Sequence, residues 1–145
     1  MTTKIFHPLL FLLISTLIIA QNNPFKINAI NNHLQLVGSW TFESMTTITK
    51  AKREEIKIVY KDNNNVETLL FNKSGSISYD VLNDGLEKKG KGIWFAEQNY
   101  LTIIVDSDTT YGTYNIENSI LTIITETKKT DNYYGYSTII KYKTN

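Results

Sequence analysis

The sequence predicts an all-β fold, an antiparallel up-and-down meander of eight or nine strands that closes as a barrel. Short runs in which apolar and polar residues alternate with period two recur at intervals of about nine to twelve residues. Clusters of Asn, Asp and Gly separate these runs, and no long helical pattern lies between them. Strands at such short spacing pair with their neighbours, and closure removes the two unpaired edges that a long sheet would expose.

An export signal peptide is predicted over residues 1–20. Lys4 precedes a hydrophobic run from Leu9 to Ile19, and the run ends at Ala20, a small residue suited to cleavage. The run is shorter than the roughly twenty residues that a membrane span needs. We therefore expect cleavage, with an uncleaved anchor as the alternative, and a periplasmic or extracellular location.

Size and composition narrow the class of protein further. The chain has 145 residues, which predicts one domain, and it has no cysteine, so the exported protein must be stable without disulfides. Its formal net charge is +1, and no basic patch indicates a nucleic-acid partner. We expect a monomer with no membrane span once the signal peptide is removed.

The first strand begins the predicted barrel domain, which covers residues 36–145. A lead-in segment, residues 21–35, precedes this domain; it is rich in Asn and has no clean period. In the sequence from Leu36 onward, alternation places Leu36, Trp40 and Phe42 on one face and polar residues on the other. This pattern is typical of a strand with one face on a core.

The remaining strands follow in order, separated by polar turns. A second strand is predicted over Glu54–Tyr60, with Ile56, Ile58 and Tyr60 on one face, and Asp62-Asn63-Asn64-Asn65 forms the next turn. Further strands are predicted over residues 66–72, 76–81, 90–97, 100–105, 109–116, 120–126 and 136–142.

Gly38-Ser39-Trp40, on the first strand and near the start of the mature chain, resembles the G-x-W motif that opens lipocalins. In particular it is similar to the small lipocalin-like domains of exported bacterial proteins, which are calycin-type β-barrels. The strand rhythm over residues 36–143 extends the resemblance over most of the mature chain. The resemblance implies that Trp40 plugs the closed end of the barrel. The chain departs from the large lipocalins in its last strand, where Lys141 and Lys143 replace the Arg that covers this Trp.

Residues with catalytic chemistry are scarce. His33 is the only histidine beyond the signal peptide, and we expect it to be an exposed residue of the lead-in segment. The sequence lacks a nucleophile elbow, a phosphate-binding glycine loop and the spaced ligands of a calcium loop. We therefore expect no enzyme activity, no cofactor and no metal.

The barrel interior is the remaining candidate site. An eight-stranded barrel is near the size at which side chains either fill the lumen or leave room for one small ligand. The resemblance favours non-catalytic binding of a small apolar or amphipathic ligand. An interaction module of the cell envelope with a filled core, using a strand edge or the Tyr133–Tyr136 surface, is the alternative, and an enzyme is the second alternative. The residues expected to face inward and bind the ligand are Trp40, Phe42, Ile58, Phe71, Tyr79, Phe95, Tyr114 and Tyr142.

Cleavage after Ala20 has a direct test. Sequencing the N-terminus of the exported protein should give a chain that begins at Gln21. Recovery of Met1 on protein from a membrane fraction would instead identify residues 1–20 as an anchor.

Overall fold

The structure, a computed structural model, describes residues 33–130 and 134–145. The predicted signal peptide, most of the lead-in segment and Tyr133 lie outside the described residues. In the described part a 3₁₀ helix (Leu34–Leu36) precedes nine strands, and no helix there is long and apolar enough to cross a membrane. The strands are β1 (Gly38–Lys50), β2 (Glu54–Tyr60), β3 (Asn65–Phe71), β4 (Ser76–Asn83), β5 (Leu86–Glu97), β6 (Tyr100–Val105), β7 (Asp108–Glu117), β8 (Ile120–Thr127) and β9 (Gly135–Thr144).

The nine strands form one antiparallel sheet that closes on itself, which confirms the predicted fold class. From β3 to β9, each strand pairs with the next along the chain. β1 closes the barrel because it pairs with β3 on one edge and with β9 on the other. Eight strands therefore make up the barrel. β2 is an extra strand that pairs with β1.

β1 changes partner halfway along its length. Gly38–Thr41 pairs with β3, whereas Ser44–Lys50 pairs with β2 on the same edge. The register against β9 shifts between Phe42 and Ser44, which leaves Glu43 as an extra residue, a β-bulge. Because of this bulge the inward-facing side changes, so that Phe42 before it and Met45 after it are both buried.

The bulge explains why the expected inward position of Ile58 is wrong. Ile58 pairs with Thr46, which lies beyond the bulge and faces outward. Its side chain is 50% exposed on the outer surface of the barrel. Ile56, Ile58 and Tyr60 do share one face of β2, as predicted, but the face is the outer one.

The expected inward position of Phe95 is also wrong. Adjacent residues of a strand face opposite sides, so only one of Trp94 and Phe95 can point into the barrel. In β5 that residue is Trp94. The Trp94 ring packs edge-to-face against Phe71 with 5.3 Å between ring centroids, and its indole N–H donates a hydrogen bond to the Asn72 carbonyl oxygen at 3.1 Å. Phe95 is 47% exposed on the outside.

Trp40 and the 3₁₀ helix pack together at the end of the barrel where β1 begins, called here the closed end. The Trp40 side chain is 2% exposed, and its indole N–H donates to the carbonyl oxygen of Leu36 at 2.8 Å. The first strand begins at Gly38 rather than at the predicted Leu36, because Leu34–Leu36 forms the helix. Gly38 joins helix and strand with a φ of +142°, a conformation that favours glycine.

Removing the Trp40 ring tests how much the closed end contributes to stability. Trp40→Ala should lower the free energy of unfolding by about 3–5 kcal/mol, because a large buried side chain is deleted and a cavity remains. Chemical denaturation followed by circular dichroism measures the change.

Tyr111→Ala is the matched control, since this aromatic residue is exposed on the outer wall. Its substitution should change the free energy of unfolding by about 0.5 kcal/mol or less. Equal effects of the two substitutions would contradict a structural role for the buried indole.

Candidate functional site in the open half of the barrel

The barrel interior changes from apolar to polar along its axis. Across β1, β9 and β8, residues that face each other in register form rows of inward side chains. The rows nearer the closed end are apolar or aromatic: Phe42–Tyr142–Leu121 and Met45–Ile140–Ile123. The rows toward the other end are hydroxyl-rich: Thr47–Thr138–Thr125 and Thr49–Tyr136–Thr127. We call this the open end only because the described residues place no helix there.

Polar inward residues from other strands share this open half. Thr110 of β7 is buried and pairs with the inward Ile103, and Asn83 of β4 is buried beside Asn65 of β3. We define the open-end cup as the inward-facing polar side chains of this half that are nearest the core: Thr47, Glu67, Asn83, Thr110, Thr125 and Thr138.

Glu67 is the only acidic side chain among the described residues that is buried, with no exposed surface. It lies on the face of β3 that also carries Leu69 and Phe71. The Tyr142 hydroxyl donates a hydrogen bond to Glu67 Oε1 at 2.8 Å. No described residue provides a partner for Oε2.

The position of Glu67 follows from the branching of β1. The pairing of β3 with β1 covers Thr68 to Phe71 only. Glu67, the residue before Thr68, therefore lies where β3 separates from β1. Beyond this point, β1 continues with β2 from Ser44 onward. The carboxyl group therefore lies inside the barrel, at the boundary between the apolar half and the polar half.

Burial raises the pKa of Glu67 from its usual 4.5 to about 7, because the charged form loses its hydration. The hydrogen bond from Tyr142 lowers this pKa, but by less than burial raises it. Burial, together with the neighbouring carboxylate, raises the pKa of Tyr142 well above its usual value, so this phenol stays protonated and donates. Near neutral pH the Glu67 carboxyl group is therefore close to the midpoint of its titration.

Thr138 is the second buried group in the cup with an unmet hydrogen bond. Its side chain is buried, and no described residue provides a partner for Oγ1. It lies between Thr47 on β1 and Thr125 on β8, all three facing inward in one row. A buried polar atom without a partner costs roughly 1–3 kcal/mol. Glu67 and Thr138 thus give the cup two unmet hydrogen-bonding atoms.

The structure places the eight residues expected inside the barrel in three environments. Ile58 and Phe95 lie outside, as described above. Tyr114 is partly buried at the closed end, where its hydroxyl contacts the ring nitrogen Nδ1 of His33. His33 is itself buried, so its expected exposure is wrong. The other five, which are buried in the core, are Trp40, Phe42, Phe71, Tyr79 and Tyr142. Their contact with a ligand stays a prediction.

A second concave surface lies on the outer wall. It is an open groove of about 450 Å³ on β3, β4 and β5. Across it, Lys89 and Asp80 form an ion pair with 2.8 Å between the ammonium nitrogen and a carboxylate oxygen. Lys91 also lines this groove. Two of the three charges that the groove offers are thus already paired with each other. No group of three or more His, Cys, Asp or Glu side chains within the described ranges could hold a metal ion.

Sequence reasoning did not identify Glu67 or Thr138 as site residues. The signal for Glu67 was present, because alternation over the third strand puts it on the same face as Leu69 and Phe71. Alternation over the predicted last strand, residues 136–142, likewise puts Thr138 on the same face as Ile140 and Tyr142. No local pattern in the sequence indicated that Glu67 of β3 and Tyr142 of β9, which are distant along the chain, lie in contact.

Comparison with known proteins identified no family. No protein-family model matches the sequence, and searches of curated proteins and of solved structures returned no significant match.

The raised pKa of Glu67 predicts a pH dependence of stability. Between pH 4.5 and about 7 the folded protein binds a proton that the unfolded chain has lost, so stability falls as the pH rises through this window. The loss is up to about 3 kcal/mol, at about 1.36 kcal/mol per pKa unit. Below pH 4.5 this loss is absent, and above pH 7 it is complete.

Glu67→Gln isolates the effect, since glutamine does not titrate and retains an oxygen that accepts from Tyr142. The free energies of unfolding of the two proteins should be similar at pH 4, and the variant should be more stable at pH 8. Urea denaturation across this range measures both. A constant difference between the two proteins would show that Glu67 titrates normally.

Proposed function

We infer that this protein is an exported, non-catalytic binding protein of the lipocalin-like type, which holds a small amphipathic ligand in the open half of its barrel. The ligand's apolar part would contact the buried aromatic and aliphatic side chains. Its polar end would lie in the open-end cup. The observation that carries this inference is the pair of buried polar atoms without partners, Glu67 Oε2 and Thr138 Oγ1.

The distribution of polarity inside the barrel supports an amphipathic ligand. Ligand sites are mostly apolar with a few polar groups that fix orientation. Here the apolar rows lie toward the closed end and the threonine rows toward the open end. Trp40 and the short helix close the first end, so the open end is the side from which a ligand would enter.

A hydroxyl group is the polar end that best fits the cup. Near neutral pH the Glu67 carboxyl group exchanges between two forms, one that accepts and one that also donates a hydrogen bond. The Thr138 hydroxyl can likewise donate or accept. An alcohol can bond either of these groups in either protonation state of Glu67, because it too donates and accepts.

The site does not favour catalysis. General acid–base chemistry on a buried substrate uses a pair of titratable groups with separated pKa values. Glu67 is the only buried acid of the described residues, and its titratable hydrogen-bond partner is a phenol held in the protonated form. A single carboxyl group with an orienting donor fits a binding role.

An interaction module remains a second candidate function because of the outer wall. Phe95, Thr102 and Tyr111 face outward in one cross-strand row over β5, β6 and β7. The two aromatic side chains are exposed, and Ile93 and Tyr100 add exposed apolar surface on the same wall. Exposed apolar patches of this kind mark contact surfaces. Of the Tyr133–Tyr136 surface, Tyr134 is exposed, whereas Tyr136 faces the interior.

Straight-chain primary alcohols are suitable probes for the ligand proposal. Native mass spectrometry of protein purified from its own host should show a bound small molecule, and titration calorimetry should detect decanol binding to the emptied protein. Thr138→Val should weaken decanol binding about tenfold, the value of one hydrogen bond of about 1.4 kcal/mol. Glu67→Gln should abolish any dependence of this affinity on pH between 5 and 8.

Thr122→Val is the matched control, because Thr122 is on β8 and pairs with the outward Lys141. It should leave decanol affinity unchanged. Failure of alcohols of every chain length to bind, with no co-purified molecule, would contradict the ligand proposal. Loss of a co-purified protein on Tyr111→Ser would then favour the outer wall as the functional surface.

A further inference from the structure

β2 is the least covered strand of the described barrel. It pairs with β1 along one edge, and the described residues place no strand on its other edge. The side chains of Ile56, Ile58 and Tyr60 on its outer face are 64%, 50% and 66% exposed. An edge strand with large exposed apolar side chains is a template for pairing with another strand.

The backbone groups on the uncovered edge belong to the same three residues. Lys61 N–H donates to the Glu43 carbonyl oxygen at 2.9 Å, so the backbone of Lys61 points toward β1. Hydrogen-bonding direction alternates along a strand, so the odd-numbered residues of β2 point to β1. The N–H and C=O groups of Ile56, Ile58 and Tyr60 therefore point away from β1, toward the uncovered edge.

We propose that β2 is a dimerisation strand, which pairs antiparallel with β2 of a second copy of this chain about a two-fold axis at Ile58. This proposal replaces the monomer expected from the sequence, and it is independent of the ligand site. In a two-fold interface the same patch meets itself, so the strand must be self-complementary.

The register centred on Ile58 meets that requirement on both faces of the strand. On the outer face Ile58 meets Ile58 of the second copy, and Ile56 meets Tyr60 twice. The next outer position sets Glu54 against Asp62, but Asp62 lies in the turn after β2, where its carboxylate accepts hydrogen bonds from the backbone N–H groups of Asn64 and Asn65. On the inner face Glu55 meets Lys61 twice, which gives two pairs of opposite charge. Cross-strand apolar and opposite-charge pairs are the ones that stabilise antiparallel sheets.

The two neighbouring registers that keep the same faces together fit less well. Centring the axis on Lys57 sets this lysine against its own copy, and like charges directly opposite destabilise a sheet. Centring it on Val59 sets Lys57 against Lys61 of the second copy twice, which again places like charges opposite each other.

The outer surface beside β2 extends the apolar contact area. Ile58, Thr46, Ile139 and Ile124 lie in one outward cross-strand row over β2, β1, β9 and β8. Ile124 is itself exposed. A dimer formed through β2 would join two such rows into one continuous outer face.

Single cysteines test the register, because the chain has no cysteine of its own. Residues directly opposite in an antiparallel pair have Cα atoms about 4.5–5.5 Å apart, within disulfide range. Ile58→Cys, in the protein as its host processes it, should form a disulfide-linked dimer on mild oxidation. Ile56→Cys and Tyr60→Cys should each remain unlinked alone, since each lies about 13 Å from its own copy. A mixture of these two variants should form the mixed dimer.

A charge exchange tests the same interface in solution. Light scattering should give twice the chain mass of 16.6 kDa for the unprocessed chain, or twice the mature mass after cleavage. Glu55→Lys should raise the dimer dissociation constant at least tenfold, and Glu55→Lys combined with Lys61→Glu should restore it. Circular dichroism confirms that each variant is folded.

Three results would overturn the proposal. The first is a single-chain mass at all concentrations together with equally slow crosslinking of the three cysteine variants. The second is a dimer that Glu55→Lys leaves unchanged. The third is a monomer in which the amides of Ile56 and Ile58 resist hydrogen exchange, which would mean that another segment covers the strand.

Discussion

β1 is the strand on which the whole barrel depends, because three other strands pair with it. Its contact with β9 closes the cylinder, and its first half holds β3 while its second half holds β2. A strand has only two edges, so β2 and β3 must share one of them. The separation of these two strands produces both of the features from which function is argued, the buried Glu67 and the exposed β2.

The interior shows how one fold can combine stability with a polar site. The closed end is filled by large apolar side chains around Trp40, and such burial is the main favourable term in folding. The open half contains hydroxyl groups and a carboxyl group whose burial is unfavourable without partners. The burial of the apolar half offsets this cost, so the fold can retain buried polar groups that its described residues leave without partners.

The outer surface includes one strand, β2, that is not needed for the core. β2 contributes little to the core, since Val59 is its one side chain that packs partly against the buried cluster. Its exposed isoleucines therefore have no role in holding the barrel closed. The interior and the strand edge lie on different surfaces of the protein, so the proposed ligand and the proposed second copy of the chain would not compete.

Much of the architecture was determined by the sequence alone, because strand patterns and turns are local. The period-two alternation and the Asn, Asp and Gly clusters were sufficient for the all-β class, for most strand positions and for the bounds of β2. The burial of Trp40, Phe42 and Phe71 was also predictable, since these residues share a face with other apolar side chains over a short span.

Only the tertiary structure decided which face of β2 is inside and which groups meet in the interior. The expected inward position of Ile58 was wrong because one extra residue, Glu43, changes which side chains of β1 point inward. The alternation within β2 cannot reveal a bulge in the neighbouring strand. Glu67 and Tyr142 meet across 75 positions of sequence. Such a contact depends on barrel closure, a global property, and therefore no local pattern in the sequence could reveal it.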